Sequence, residues 1–305
     1  MSIILLVLGF VLLIKGADFF VEGSSQIAKR LGVSPLIIGM TIVAMGTSLP
    51  ELSVSTTASL AGNNGVAIGN VVGSNMFNLL IVAGLCALIF NLPIDEDTAQ
   101  RDLPFSILCA VLLLGLSLIG MKLDRFDGII FLFAFAIFLL LMIKSAKSDE
   151  EDDTPPTLSF ILCMIYIVGG AVAVKFGGDF VVEGSSEIAR AFGMSDNLIG
   201  LTIVAFGTSL PELVTSVVAA TKHETDLAMG NVIGSNIFNI LLILGTASAI
   251  SPIEFTIENL IDVAVLITVS LVVLFYFKRD AKITKKEGFS MILMYAAYMV
   301  YAIMR

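Results

Sequence analysis

Two glutamates, Glu51 and Glu212, stand near the middle of otherwise apolar runs. A carboxylate at that depth in hydrocarbon is costly and marks a functional candidate by default. The bland reading is an acid paired with a base. Yet no Lys or Arg lies in the same or the following run, except Lys15 and Lys175 in the first run of each half, which have nearer acidic neighbours. Both glutamates are the sixth residue of the same heptapeptide, GTSLPEL, at Gly46–Leu52 and Gly207–Leu213. Pro50 has no N–H, so the Gly46 carbonyl loses its helical partner, and Pro211 does the same to Gly207. Thr47, Ser48, Thr208 and Ser209 add hydroxyls about one turn from the carboxylates. Carboxylate, hydroxyl and freed carbonyl oxygens suit a hard cation, and Ca2+ takes about 6 to 8 of them. No softer metal site is in view: Cys86, Cys109 and Cys163 lie in apolar runs as packing residues, and the lone His223 sits in a loop.

A second motif follows each glutamate, GNVVGSNMFN at Gly69–Asn78 and GNVIGSNIFN at Gly230–Asn239. Residues three or four apart share a helix face, so Asn70, Ser74 and Asn78 form a polar stripe, as do Asn231, Ser235 and Asn239. Such stripes commonly bond neighbouring membrane helices through close glycine packing. Beside the two glutamates, Ser74, Asn78, Ser235 and Asn239 are expected to coordinate a cation. Asn70, Asn75, Asn231 and Asn236 are expected to give structural support.

Composition says what positions these residues. The 305 residues are 57% hydrophobic and 14% charged, with a mean hydropathy of +0.99. Apolar runs of roughly 18 to 25 residues match the bilayer core and are continuous rather than alternating, so they read as helices. The expected spans are 2–30, 35–61, 65–91, 104–121 and 127–144, then 158–191, 195–221, 226–250, 259–277 and 287–304. The first run lacks a small-residue cleavage site and reads as a retained helix. Gly16 to Leu80 aligns without gaps on Gly177 to Leu241, with 37 of 65 positions identical. Five spans per copy make the second copy enter from the opposite side, an architecture of secondary transporters. The expectation is an all-α polytopic membrane protein of ten transmembrane helices in two inverted five-helix repeats, 1–144 and 158–305, joined by an acidic cytoplasmic linker, 145–157. With both termini outside, inner loops hold eleven Lys and Arg against four in the outer ones, which the positive-inside rule favours. The net charge of −9 and the absence of a basic surface leave no footprint for nucleic acid. The lipid bilayer is the expected environment, and no obligate protein partner is evident. Asp18, Glu22, Asp179 and Glu183 also repeat; Lys15 and Lys175 stand three and four residues before the aspartates, so helical ion pairs are expected there.

GTSLPE followed by GNVVGSNxFN, twice and inverted, resembles the Na+/Ca2+ exchangers of the cation/Ca2+ antiporter superfamily, prokaryotic type, over essentially the whole chain. The resemblance implies a non-enzymatic antiporter of the cytoplasmic membrane that exchanges Ca2+ for Na+ by alternating access and needs no cofactor. It also implies broken helices meeting at the midplane, with one Ca2+ site flanked by Na+ sites. Carried over by position, Glu51 and Glu212 would ligate Ca2+ and share in Na+ binding, and Thr47 and Thr208 would offer oxygens to Ca2+. Ser48 and Ser209 would line the same cavity. Ala44 with Ser74, and Ala205 with Ser235, would complete the Na+ sites, while Asn78 and Asn239 would sit beside the central ion. Many of these exchangers carry Asp in one copy of the last position, where this chain has Asn in both, so the cavity holds two carboxylates rather than three. Coupling to H+ or K+, or transport of another divalent ion, therefore stays open. The H+/Ca2+ branch has Glu where this chain has Gly73 and Gly234. An intramembrane aspartyl protease using Asp18 and Asp179 needs a GxGD element, but Phe176 replaces its first Gly.

Overall fold

A computed structural model describes residues 2–145, 156–194, 199, 203 and 205–304. Residues 146–155 of the linker and most of 195–204, where the seventh helix is expected to begin, lie outside the described residues. The helices are α1 Ser2–Leu31, α2 Pro35–Thr47, α3 Leu49–Leu60, α4 Asn64–Ile89, α5 Thr98–Ser117 and α6 Arg125–Lys144. They continue as α7 Phe160–Ala191, α8 Ala205–Thr208, α9 Leu210–Thr221, α10 Thr225–Ile250, α11 Ile257–Asp280 and α12 Lys285–Met304. Among the described residues, eight are long and apolar enough to cross a membrane, or nine if the bent pair α2–α3 counts as one. The protein is thus an all-helical polytopic membrane protein.

Three expected spans depart from uniform helices, each beside a proline. The expected span 35–61 is bent by 51° at Ser48, between α2 and α3. Pro50 cannot donate to Gly46, so the chain bends where that bond is lost. Ser209 has the same non-helical backbone, φ −93° and ψ 5°, before Pro211. The fourth helix begins at Thr98 rather than 104, because a wide π-helical turn, Thr98–Asp102, precedes Pro104. A wider turn accommodates a residue without an N–H.

The chain packs as two units, residues 1–50 with 146–231 and residues 51–145 with 232–305, so each draws on both sequence repeats. In the first, α1 and α7 lie antiparallel along a glycine seam. Gly9, Gly16 and Gly23 on α1 face α7, and their counterparts Gly170, Gly177 and Gly184 face α1. A Cβ on Gly177 would fall 2.6 Å from the Leu13 nitrogen, so no larger residue permits this approach. Phe20, Val21, Ile38, Cys163, Ala219 and Leu227 form a core beside the seam.

In the second unit the glycine contacts and the loop ribbons come in pairs. Gly84 of α4 abuts Gly288 of α12, and Gly245 of α10 abuts Gly128 of α6. Two short antiparallel ribbons join the loops: β1 Leu92–Pro93 with β4 Lys282–Ile283, and β2 Lys122–Leu123 with β3 Ile253–Glu254. Capping sets the helix starts beside them. Thr256 and Asn259 cap α11 reciprocally. The Asp124 carboxylate accepts from the N–H groups of Asp127 and Phe126 at the start of α6, and these bonds hold it below the usual carboxylate range.

Candidate cation site

In the first unit, Glu212 occupies the first turn of α9, where helix N-terminal N–H groups favour negative charge. It is fully buried. Ser48, at the bend before α3, donates its hydroxyl to Glu212 Oε1 at 2.9 Å, while Oε2 has no hydrogen-bond partner among the described residues. The polypeptide around it is fixed by Asn231. Its Nδ2 donates to Ser216 Oγ at 2.9 Å and to the Glu212 carbonyl at 3.4 Å, and its Oδ1 accepts from Thr47 Oγ1 at 3.0 Å. Thr47 Oγ1 also reaches the carbonyls of Val43 and Ala44. The Ala44 carbonyl accepts the Ser48 N–H at 3.0 Å. Thr208 and Ser209 are buried where α8 gives way to α9; Ala205 opens α8.

In the second unit, Glu51 is fully buried in the first turn of α3. Ser74 Oγ lies 3.4 Å from Glu51 Oε1. Asn70 Nδ2 donates to Ser55 Oγ at 2.9 Å and to the Glu51 carbonyl at 3.4 Å, the same distances that Asn231 makes around Glu212. Asn70 and Asn231 are thus braces that tie each motif helix to the glutamate's own turn. Asn78, Ser235 and Asn239 are buried in this unit. Both amide atoms of Asn78, Ser235 Oγ and Asn239 Oδ1 have no hydrogen-bond partner among the described residues. A buried polar atom without a partner costs about 1–3 kcal/mol, and oxygens left so can serve an ion. Among the described residues no three His, Cys, Asp or Glu side chains come together to hold a metal, so an ion here would rely on neutral oxygens as well.

Three features were not anticipated from the residues. A π-helical turn begins at Asn78 and another at Asn239, running to Val82 and Leu244; such widened turns gather at functional sites. Ser55 and Ser216 anchor the asparagine braces, and their identity at matched positions of the repeat was the available signal. Asp18 and Glu22 pair with Lys222, at 2.7 and 3.3 Å, a partner that the spacing to Lys15 did not name. Lys222 follows the end of α9, which packs on α1 within the first unit. Lys175 does pair with Asp179, as the spacing implies.

A polytopic helical protein whose buried acids, hydroxyls and amides sit on interrupted helices has the makings of an ion transporter. Residues 1–144 and 162–304 match the model of the sodium/calcium exchanger protein family, and the chain belongs to that family, one of transporters rather than enzymes with Ca2+ and Na+ as their ions. It is 34% identical to the sodium/calcium exchanger MaX1 of Methanosarcina acetivorans, over 98% of this chain and 97% of that one. It is 37% identical to the inner membrane protein YrbG of Escherichia coli, over 82% of this chain and 80% of the other. The solved structure of the sodium-calcium exchanger NCX_Mj superposes with a TM-score of 0.89 at 32% identity, covering 98% of each chain.

Proposed function

We propose that the protein exchanges Ca2+ for Na+ across the cytoplasmic membrane by alternating access. The ions bind near the midplane at a site built from both repeats. The observation that carries this reading is the pair of fully buried glutamates, each opening a helix after a proline-induced break and each next to a hydroxyl. Glu51 and Glu212 serve as charged ligands. Thr47, Ser48, Thr208, Ser209, Ser74, Ser235, Asn78 and Asn239 supply neutral oxygens, and Ala44 and Ala205 supply carbonyls.

The strand ribbons support ten crossings in two inverted repeats, 1–144 and 158–305. Paired loop strands lie on one side of the membrane. Between β2 and β3 the chain runs through α6, α7, α8–α9 and α10. The number of crossings is even only if the α8–α9 segment spans, as the bent pair α2–α3 does in the first repeat. With the termini outside, β1 and β4 face the cytoplasm.

The pair of asparagines at 78 and 239 favours one alternative. With two carboxylates the charge balances one Ca2+ or two H+ but not several Na+, so H+ is the competing coupling ion, with K+ dependence the further variant. Ca2+ uptake into proteoliposomes under imposed Na+, K+ or pH gradients separates them. The Na+ gradient alone is expected to drive uptake; uptake driven equally by a pH gradient without Na+ would replace Na+ by H+.

A further inference from the structure

The two motif helices meet in the second unit through four asparagines, and one bond between them lacks its symmetry mate. Asn75 Nδ2 donates to the Asn236 carbonyl at 3.1 Å, and Asn236 Nδ2 returns a bond to the Asn75 carbonyl at 3.3 Å. A backbone carbonyl only accepts, so each of these amides is fixed with its nitrogen towards the partner backbone and its oxygen turned away. The oxygen of Asn75 accepts from Asn239 Nδ2 at 2.9 Å. Asn239 must therefore present its nitrogen to Asn75, which leaves its Oδ1 buried and without a partner among the described residues. Repeat symmetry demands the same bond from Asn78 Nδ2 to Asn236 Oδ1, yet both atoms are without a partner among the described residues. One half of the four-asparagine cluster is clamped and the other is open.

We infer that Asn75 and Asn236 are positioning residues that alternately set the amide orientation of Asn239 and Asn78. The clamped amide turns oxygen, not NH2, towards the transported cation. Inverted repeats exchange conformations as a transporter turns over. The open pair in this structure, Asn78 with Asn236, therefore closes in the opposite-facing state, and the Asn75–Asn239 bond then opens. A neutral side chain with a fixed oxygen can thus take the place of a carboxylate, and which asparagine holds the ion firmly depends on the side that is open. This rests on the proposed cation role of Asn78 and Asn239.

The test reads Ca2+ affinity from each side. Na+-dependent Ca2+ uptake is measured in uniformly oriented right-side-out and inside-out vesicles carrying wild type, Asn75→Leu or Asn236→Leu. Partners that orient a metal ligand are typically worth about tenfold or more in affinity. Asn75→Leu is expected to raise the apparent KM for Ca2+ about tenfold on one face with little change on the other, and Asn236→Leu is expected to do the reverse. Asn75→Ser and Asn236→Ser, too short to reach the partner amide, give the same sided pattern should the leucine variants fold poorly. A merely structural role lowers maximal flux, or shifts KM equally on both faces, and either result overturns the positioning role alone. Wild type that neither binds nor moves Ca2+ overturns this inference together with the reading it rests on.

Discussion

At the scale of single residues, the buried carboxylates are made tolerable by donors that water would otherwise supply. Glu212 takes the Ser48 hydroxyl and the positive end of α9. Hydrogen bonds to charged groups are worth about 1.5–3 kcal/mol, so Ser48→Ala is expected to raise the apparent KM for Ca2+ about tenfold, read from uptake kinetics. An unchanged KM would remove Ser48 from the ion's surroundings. Asn231 satisfies three buried groups at once, those of Thr47, Ser216 and Glu212. Asn231→Leu keeps the branched shape but takes the amide donor from the Ser216 hydroxyl and the Glu212 carbonyl, so a loss of about 2 kcal/mol is expected in detergent thermal melts. The candidates Glu51, Glu212 and their hydroxyl neighbours were legible because charge in an apolar run has few innocent explanations. The asparagine contacts were not, since periodicity places a side chain on a face without naming what it meets. Asn75 and Asn239 sit on different helices 164 residues apart in sequence, beyond the reach of any local pattern.

At the scale of elements, proline and glycine set the geometry. The bend at Ser48 and the helix break at Ser209 follow from Pro50 and Pro211, and the α1–α7 seam from glycines seven residues apart. Gly177→Val places a branched side chain where even a Cβ falls 2.6 Å from the Leu13 nitrogen. Overpacking of this kind costs about 1–3 kcal/mol, measurable as a lower melting temperature. The salt bridge from Lys222 to α1 is a weaker tie. Burial alone would lower the Lys222 pKa, but Asp18 and Glu22 outweigh it and raise it above 10.5. A raised lysine stabilises the fold below its unfolded pKa and loses that contribution as pH climbs through the folded value. The stability difference between wild type and Lys222→Met should therefore be small and constant through neutral pH, and should shrink only above about 10.5. Among the described residues, helix ends were readable to within a few residues except where Pro104 hid the π-helical turn before α5. The π-helical turns after Asn78 and Asn239 have ordinary helical composition, Leu, Ile and Val, so nothing in the residues marks them.

At the scale of the whole molecule, the repeat explains why features come in pairs: two glutamates, two braces, two glycine contacts and two strand ribbons. Strand pairs of two residues are too short to read from sequence, yet they carry topological information. With Lys122→Cys and Lys282→Cys introduced singly, an impermeant maleimide should label position 122 from outside and 282 from inside; the native Cys86, Cys109 and Cys163 are buried. Labelling of both from one side would contradict the ten-crossing arrangement.

The central claim is that Glu51 and Glu212 carry the exchanged ions, and Na+-gradient-driven Ca2+ uptake into proteoliposomes tests it most directly. Wild type is expected to accumulate Ca2+ only when the Na+ gradient is imposed. Glu51→Gln and Glu212→Gln, folded and reconstituted to the same level, are expected to abolish that uptake. Undiminished Na+-dependent uptake in either variant would contradict the account.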